Sequence, residues 1–132
     1  MTHTGSCHCG AIRFRVDLDL ATSTRCNCSF CGKNRFWFSL VKATALELVA
    51  GADQLADYQH GDKRFLHFHF CRTCGVRPFS KGGHLPQMGG EFYAVNLAAL
   101  DLTPEQLAAI PVTYADGAHD DWAHPPAVTS YM

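Results

Sequence analysis

The sequence predicts a mainly β fold, a small domain of strands tied together by bound metal. Three observations predict it. Short apolar segments with strand-like patterns recur along the 132 residues, Gly and Asp residues separate these segments, and seven cysteines fall into three tight groups. Chains of this length usually fold as one unit, so a single domain over residues 1–132 is expected.

Five strands are predicted from the apolar segments. In the first, Ile12, Phe14 and Val16 alternate with Arg13 and Arg15, a pattern that places the apolar side chains on one face. The second is rich in aromatic residues, which favour strands. In chain order, the predicted strands cover residues 11–16, 35–41, 45–49, 63–70 and 91–97.

Helical structure is predicted at two places. Thr103, Pro104 and Gln106 form a capping box with proline at the first helical position, and Pro111 ends that helix. A shorter helical turn is expected over residues 52–56. Residues 80–90, with a Gly pair near each end, are expected to be a loop, either a plain hairpin connection or a mobile flap.

The cysteine groups predict metal binding. They are Cys7 and Cys9, then the triplet Cys26, Cys28 and Cys31, then Cys71 and Cys74. Thiolates separated by one or two residues suit a tetrahedral zinc ion. A disulfide framework is disfavoured, because the count is odd and cysteines one residue apart are poorly placed to bridge. The first and last pairs each offer two ligands and together complete a four-sulfur structural site.

The middle triplet offers three sulfurs and leaves a fourth position for water, a substrate thiol or a histidine. His67 and His69 are candidates for that position. In a strand they lie on the same face as Cys71, although polar positions on a half-exposed strand would show the same pattern.

Composition narrows the classes of function. The formal net charge is −1, and Lys and Arg are not clustered, which argues against binding nucleic acid. No apolar run reaches the length of a membrane span, and the first residues lack an apolar signal segment. Reduced cysteines are typical of the cytoplasm, where we expect this protein as a monomer or homodimer.

Three segments together resemble the glutathione-dependent formaldehyde-activating enzyme family, which also includes centromere protein V. They are Gly5-Ser6-Cys7-His8-Cys9-Gly10-Ala11-Ile12-Arg13-Phe14, Cys26-Asn27-Cys28-Ser29-Phe30-Cys31 and Phe70-Cys71-Arg72-Thr73-Cys74-Gly75. The resemblance implies a β-tent fold of twisted antiparallel sheets with two zinc ions per chain. It implies a structural zinc on the four sulfurs of the outer pairs, and a second zinc, treated as catalytic, on the triplet.

The resemblance further implies a carbon–sulfur lyase that adds glutathione, as co-substrate, to formaldehyde or a related aldehyde. Lys33 and Arg35 follow the triplet and are candidate contacts for glutathione carboxylates. One face of the segment Phe36-Trp37-Phe38 should be core, and Trp37, out of phase with the two Phe residues, is a candidate to line a pocket above the triplet. Two alternatives remain open: a zinc-stabilised binding or scaffold module without catalysis, and a thiol redox or zinc-buffering protein.

Overall fold

The computed structural model describes residues 1–62 and 65–132. Its strands are β1 (Thr2–Ser6), β2 (Arg13–Asp17), β3 (Thr24–Cys26), β4 (Trp37–Lys42), β5 (Leu46–Ala50), β6 (Leu55–Tyr58), β7 (Leu66–Cys71), β8 (Phe79–Leu85), β9 (Gly90–Asn96) and β10 (Thr113–Ala115). Its α-helices are α1 (Ser29–Asn34) and α2 (Pro104–Ala108). Short 3₁₀ turns cover Ala43–Ala45, Ala52–Gln54, Pro86–Met88, Leu97–Ala99 and Gly117–His119. The predicted mainly β class with one or two short helices is confirmed.

The strands form two sheets. The smaller has the order β1-β2-β5, and the larger has the order β10-β3-β4-β9-β8-β7-β6. Neighbouring strands are antiparallel except β3 and β10, which run parallel. Among the described residues no helix is long and apolar enough to cross a membrane.

The main core lies between the two sheets. The alternation predicted for β2 is present, since Ile12, Phe14 and Val16 are at most 1% exposed while Arg13 and Arg15 face solvent. The Phe14 ring meets the ring of Phe79 from the larger sheet edge to face, with centroids 5.5 Å apart. Contacts of this kind hold the small sheet over the large one.

Most predicted elements are present with shifted ends. The four strands predicted after the first correspond to β4, β5, β7 and β9. Part of the fourth prediction, Lys63 and Arg64, lies outside the described residues. The helix at Thr103 has both hydrogen bonds of its capping box. The expected turn at 52–56 is a 3₁₀ turn at Ala52–Gln54 that leads into β6.

The loop predicted for residues 80–90 is wrong over its first half. Residues Phe79–Leu85 form β8, which pairs with β7 and β9. Gly82 fits in this strand because the Phe92 ring occupies the space where a side chain would be. A Cβ on Gly82 would lie 2.1 Å from that ring. The plain hairpin connection was therefore the correct alternative, with the 3₁₀ turn Pro86–Met88 as its loop.

Candidate metal centres

The outer cysteine pairs meet between the two sheets. Cys7 and Cys9 follow β1 of the small sheet, and Cys71 ends β7 of the large one, with Cys74 close behind. The four Sγ atoms all lie within 4.8 Å of one another. The Cys7–Cys9 and Cys9–Cys71 sulfur distances are 3.6 and 3.7 Å. Such a group has the donors and the spacing that a tetrahedral zinc site requires.

Two matching turns present these sulfurs. Gly10 and Gly75 each follow the second cysteine of a pair, with φ of +81° and +79°. Only glycine adopts this conformation without strain, so both turns require glycine at this position. In each turn the glycine N–H donates to the carbonyl of the first cysteine of its pair, Gly10 to Cys7 and Gly75 to Cys71.

Backbone N–H groups donate to two sulfurs of this group. The N–H of Ile12 donates to Cys7 Sγ and that of Thr73 donates to Cys71 Sγ. Backbone hydrogen bonds, the strongest from Cys9 and the next from Val76, lower the pKa of Cys74 to about 6. Because zinc binds the thiolate form, such donors prepare the site for the ion.

The middle triplet is assembled by the junction of β3 and α1. Cys26 ends β3, and Cys28 is the N-cap of α1, with an extended backbone. The Cys28 N–H donates to Cys26 Sγ at 3.3 Å, and the Cys31 N–H donates to Cys28 Sγ at 3.4 Å. A cysteine thus performs the capping role usually given to Ser or Asp. The three sulfurs lie within 4.8 Å of one another.

The charge on this triplet is shared unequally. Hydrogen bonds from the Cys26 and Cys31 thiols lower the pKa of Cys28 to about 2. Contacts with the Cys26 and Cys28 sulfurs raise the pKa of Cys31, and the contact with Cys28 raises that of Cys26. By themselves the three groups favour one thiolate held by two thiols. A soft divalent cation would let all three ionise, and three sulfurs form a donor set that fits zinc.

Within the described part of the chain, no fourth Cys, His, Asp or Glu atom joins the triplet. The two histidine candidates have other partners. His67 Nδ1 lies 2.7 Å from the Asp57 carboxylate, and His69 Nδ1 lies 3.3 Å from the carbonyl oxygen of Ala56. Burial lowers the pKa of His69 and favours its neutral form. Both side chains therefore belong to the β6–β7 pair.

A loop from the C-terminal part of the chain forms one wall of the triplet. β10 pairs with β3 so that Ala115 lies opposite Cys26, and Gly117 follows two residues later. A Cβ added to Gly117 would lie 2.4 Å from Cys26 Sγ and 2.9 Å from the Trp122 ring. The backbone can approach the sulfur this closely only because residue 117 is glycine.

Asn27, inside the cysteine triplet, attaches this loop. Its side-chain N–H donates to Asp116 Oδ1, and its side-chain oxygen accepts from the Ala118 N–H, each at 2.9 Å. The Asn27 and His119 hydrogen bonds lower the pKa of Asp116 and keep it ionised. The only sequence signal was the Asp116-Gly117 pair, and nothing in it indicates proximity to residue 26.

The aromatic side chains that pack beside the triplet are not the one that the sequence suggested. Phe36 and Phe38 pack against Cys26 and Cys31, whereas Trp37 packs against the main core. Trp37 Nε1 donates to Ser23 Oγ at 2.7 Å. The prediction that Trp37 lines a pocket above the triplet is therefore wrong. Side chains alternate along β4, so Trp37 points to the opposite side from Phe36 and Phe38.

The two basic candidates follow Cys31 at different points of α1. Lys33 lies inside the helix, about 200° from Cys31 around the axis, and lines a cavity with Phe30 and Asn34. Arg35 caps the helix in a left-handed conformation, and its Nη1 donates to the carbonyl oxygen of Tyr131.

Comparison with known proteins places these features in a family. The profile of the glutathione-dependent formaldehyde-activating enzyme family matches residues 2–116. A crystal structure of a protein from Rhodobacter sphaeroides superposes with a TM-score of 0.68 at 35% sequence identity. That alignment covers 83% of this chain and 99% of the other.

Proposed function

This chain belongs to the glutathione-dependent formaldehyde-activating enzyme family, and from that membership we propose that its cysteine triplet is a zinc-dependent active site. The site would join the glutathione sulfur to the carbon of formaldehyde, a reaction of the carbon–sulfur lyase class run in the direction of addition. The two cysteine groups would hold two zinc ions per chain, one structural and one at the reaction centre.

The difference in ligand number carries this proposal. The group of Cys7, Cys9, Cys71 and Cys74 has the four sulfurs of a closed structural site. The triplet has three sulfurs and, among the described residues, no fourth protein ligand. A centre with an open position is typical of catalytic zinc, because water or a substrate thiol can occupy it.

The reaction requires an ionised thiol and an accessible carbonyl. The glutathione sulfur forms a bond to the carbonyl carbon, the C=O π electrons move to oxygen, and that oxygen takes a proton to give S-hydroxymethylglutathione. No oxidant or reductant is needed. When bound, zinc would supply the positive charge that keeps a thiol ionised near neutral pH and polarises a carbonyl oxygen.

Residues of the chain would shape the approach to the triplet. The Gly117 backbone covers the Cys26 side, so substrates must enter elsewhere. Arg35 is the proposed contact for a glutathione carboxylate, since it caps the helix that contains Cys31 and its guanidinium has donors beyond the one given to Tyr131. Lys33 is less suitable because it lies on the other face of α1.

Exchange NMR between formaldehyde hydrate and S-hydroxymethylglutathione tests the proposal. Zinc-loaded wild-type protein should accelerate the exchange, and Cys28→Ser should abolish that acceleration. Serine also caps helices, so α1 should persist in the variant and the loss would report on the sulfur. Equal rates for wild type and Cys28→Ser in zinc-loaded protein would favour a purely structural role for both metals.

A second pair of variants tests the glutathione contact. Arg35→Ala should raise the KM for glutathione about tenfold, the effect of losing one charge-assisted hydrogen bond. Arg15→Ala is the control, because Arg15 is exposed on β2 and pairs with Glu47. An unchanged KM in Arg35→Ala would remove Arg35 from the site while leaving the cysteine proposal intact.

A further inference from the structure

A cavity lies beside α1, the helix that contains Cys31. Its volume is about 370 Å³, and its lining includes Phe30, Lys33, Tyr58, His60 and Arg77. Sites for small molecules begin at about this size. Lys33 lies across the helix axis from Cys31, so it faces the cavity and not the triplet, whereas Phe30 packs against both.

Aromatic rings form a layered wall of this cavity. The rings of Phe30, Tyr58 and His60 are nearly parallel, with interplanar angles of 15–20°. Their centroids lie 5.5–6.1 Å apart, and Phe68 packs against Phe30 at 4.0 Å. Flat apolar surfaces of this kind favour a ligand that is itself planar, because planar groups stack in an offset arrangement.

Positive charge lines the same cavity. The Arg77 guanidinium stacks on Phe30 at 4.9 Å and donates from Nε to Asn34 Oδ1 and from Nη1 to the Phe68 carbonyl. These bonds fix its plane. Lys33 adds a second cation, and none of the described residues that line the cavity is Asp or Glu. Two cations beside aromatic faces favour an anion over a neutral ligand.

One buried polar atom at this site has no hydrogen-bond partner among the described residues. His60 Nε2 is buried and makes no hydrogen bond to the described residues. Buried polar atoms are nearly always hydrogen-bonded, so an isolated one next to a cavity suggests a partner that comes from outside the chain. Its ring also belongs to the aromatic wall, which would place a ligand's polar group beside the stacking surface.

We propose that this cavity binds a small planar carboxylate, with the ring or conjugated plane against Phe30, Tyr58 and His60 and the carboxylate toward Lys33 and Arg77. This is a ligand site beyond the glutathione chemistry. It shares α1 with the cysteine triplet, but none of its described lining residues is a cysteine.

Amide NMR titrations with three probes test the proposal. Benzoate is planar and anionic, benzamide is planar and neutral, and cyclohexanecarboxylate is anionic but not planar. Benzoate should give saturable shifts at Lys33 and Asn34 and bind at least about fivefold more tightly than either other probe. Equal affinity for benzamide, or no saturation with benzoate by about 20 mM, would overturn the proposal.

Variants assign the binding to the cavity. Lys33→Ala should weaken benzoate binding about tenfold, whereas Lys42→Ala, which removes an exposed lysine of β4, should not. Tyr58→Leu should reduce affinity for benzoate and leave cyclohexanecarboxylate unaffected, because it removes only a stacking surface. Tyr58 is 46% exposed, so this variant should fold.

Two further measurements separate this site from the proposed active site. Cys28→Ser should leave the benzoate affinity unchanged even if it abolishes formaldehyde exchange. Glutathione should not compete with benzoate. Competition, together with the same pattern of amide shifts, would make the cavity part of the glutathione site and would contradict a separate ligand.

Discussion

Gly117 and Cys26 show how a single backbone position can shape a metal centre. The strand pairing of β3 with β10 brings the Gly117 backbone against the Cys26 sulfur, where a Cβ would be 2.4 Å away. This contact cannot be predicted from the spacing of the cysteines. The shape of this candidate metal centre therefore depends on a residue that has no side chain.

Gly117→Ala should push the loop away from the triplet. We expect a loss of about 1–3 kcal/mol in the free energy of unfolding, typical of overpacking, and weaker zinc retention. Gly83→Ala is the control, since a Cβ there would meet only ordinary contacts at 3.7 Å. Urea unfolding and zinc per chain are the measurements, and equal effects of the two variants would contradict the steric role.

His69 should make stability depend on pH. Burial lowers its pKa below the ordinary value of about 6.5, so the unfolded chain binds the proton more readily than the folded one. The free energy of unfolding should therefore be fully retained above about pH 6.5 and decline as the pH falls below it.

Urea unfolding between about pH 7.5 and 5.5 checks this dependence. His69→Gln should flatten the decline, whereas His84→Gln, which removes an exposed histidine of β8, should follow the wild-type profile. Parallel profiles for wild type and His69→Gln would show that other groups cause the decline.

At the scale of elements, the two helices differ in what defines them. α2 is specified locally, since Thr103 and Gln106 exchange hydrogen bonds with each other's backbone. α1 lacks such a polar signature. Its cap is Cys28, and its left-handed end is Arg35, whose side chain reaches Tyr131 near the other end of the chain.

Thr103→Ala should destabilise the protein by about 1 kcal/mol through loss of the cap. Glu105→Ala, in the same first turn but outside the capping box, should cost no more than about 0.5 kcal/mol. Urea denaturation with fixed m-values measures both. A cost for Thr103→Ala no larger than that for Glu105→Ala would mean that packing, rather than the cap, holds α2.

At the scale of the whole molecule, the two cysteine groups differ in how far apart in the sequence their members are. Cys9 and Cys71 are 62 residues apart and belong to different sheets, yet their sulfurs are 3.7 Å apart. The triplet closes only a short segment between β3 and α1. A metal at the first group would cross-link the fold, whereas a metal at the second would constrain little beyond its own loop.

Cys71→Ser and Cys28→Ser should each lose one of two zinc ions, with unequal effects on stability. We expect Cys71→Ser to lower the Tm by at least about 10 °C, because it opens the cross-link between the sheets. Cys28→Ser should lower it by only about a third as much. Elemental analysis and thermal unfolding test this. Equal decreases in Tm would contradict the claim that only the four-sulfur site cross-links the two sheets.

The sequence by itself determined the fold class, the family and the pairing of ligands. Alternation specified β2, the capping box specified α2, and the spacing of the seven cysteines separated a four-sulfur group from a three-sulfur one. These features are local, or depend on residue types whose chemistry allows few alternatives, so they can be predicted without coordinates.

Only the tertiary structure decided what surrounds the triplet. The Gly117 wall, the two Asn27 hydrogen bonds and the cavity beside α1 join segments far apart in sequence. Strand β8 likewise depends on the Phe92 ring that fills the space above Gly82. Such contacts arise from sheet order and packing, and neither periodicity nor spacing along the chain records which distant residues they bring together.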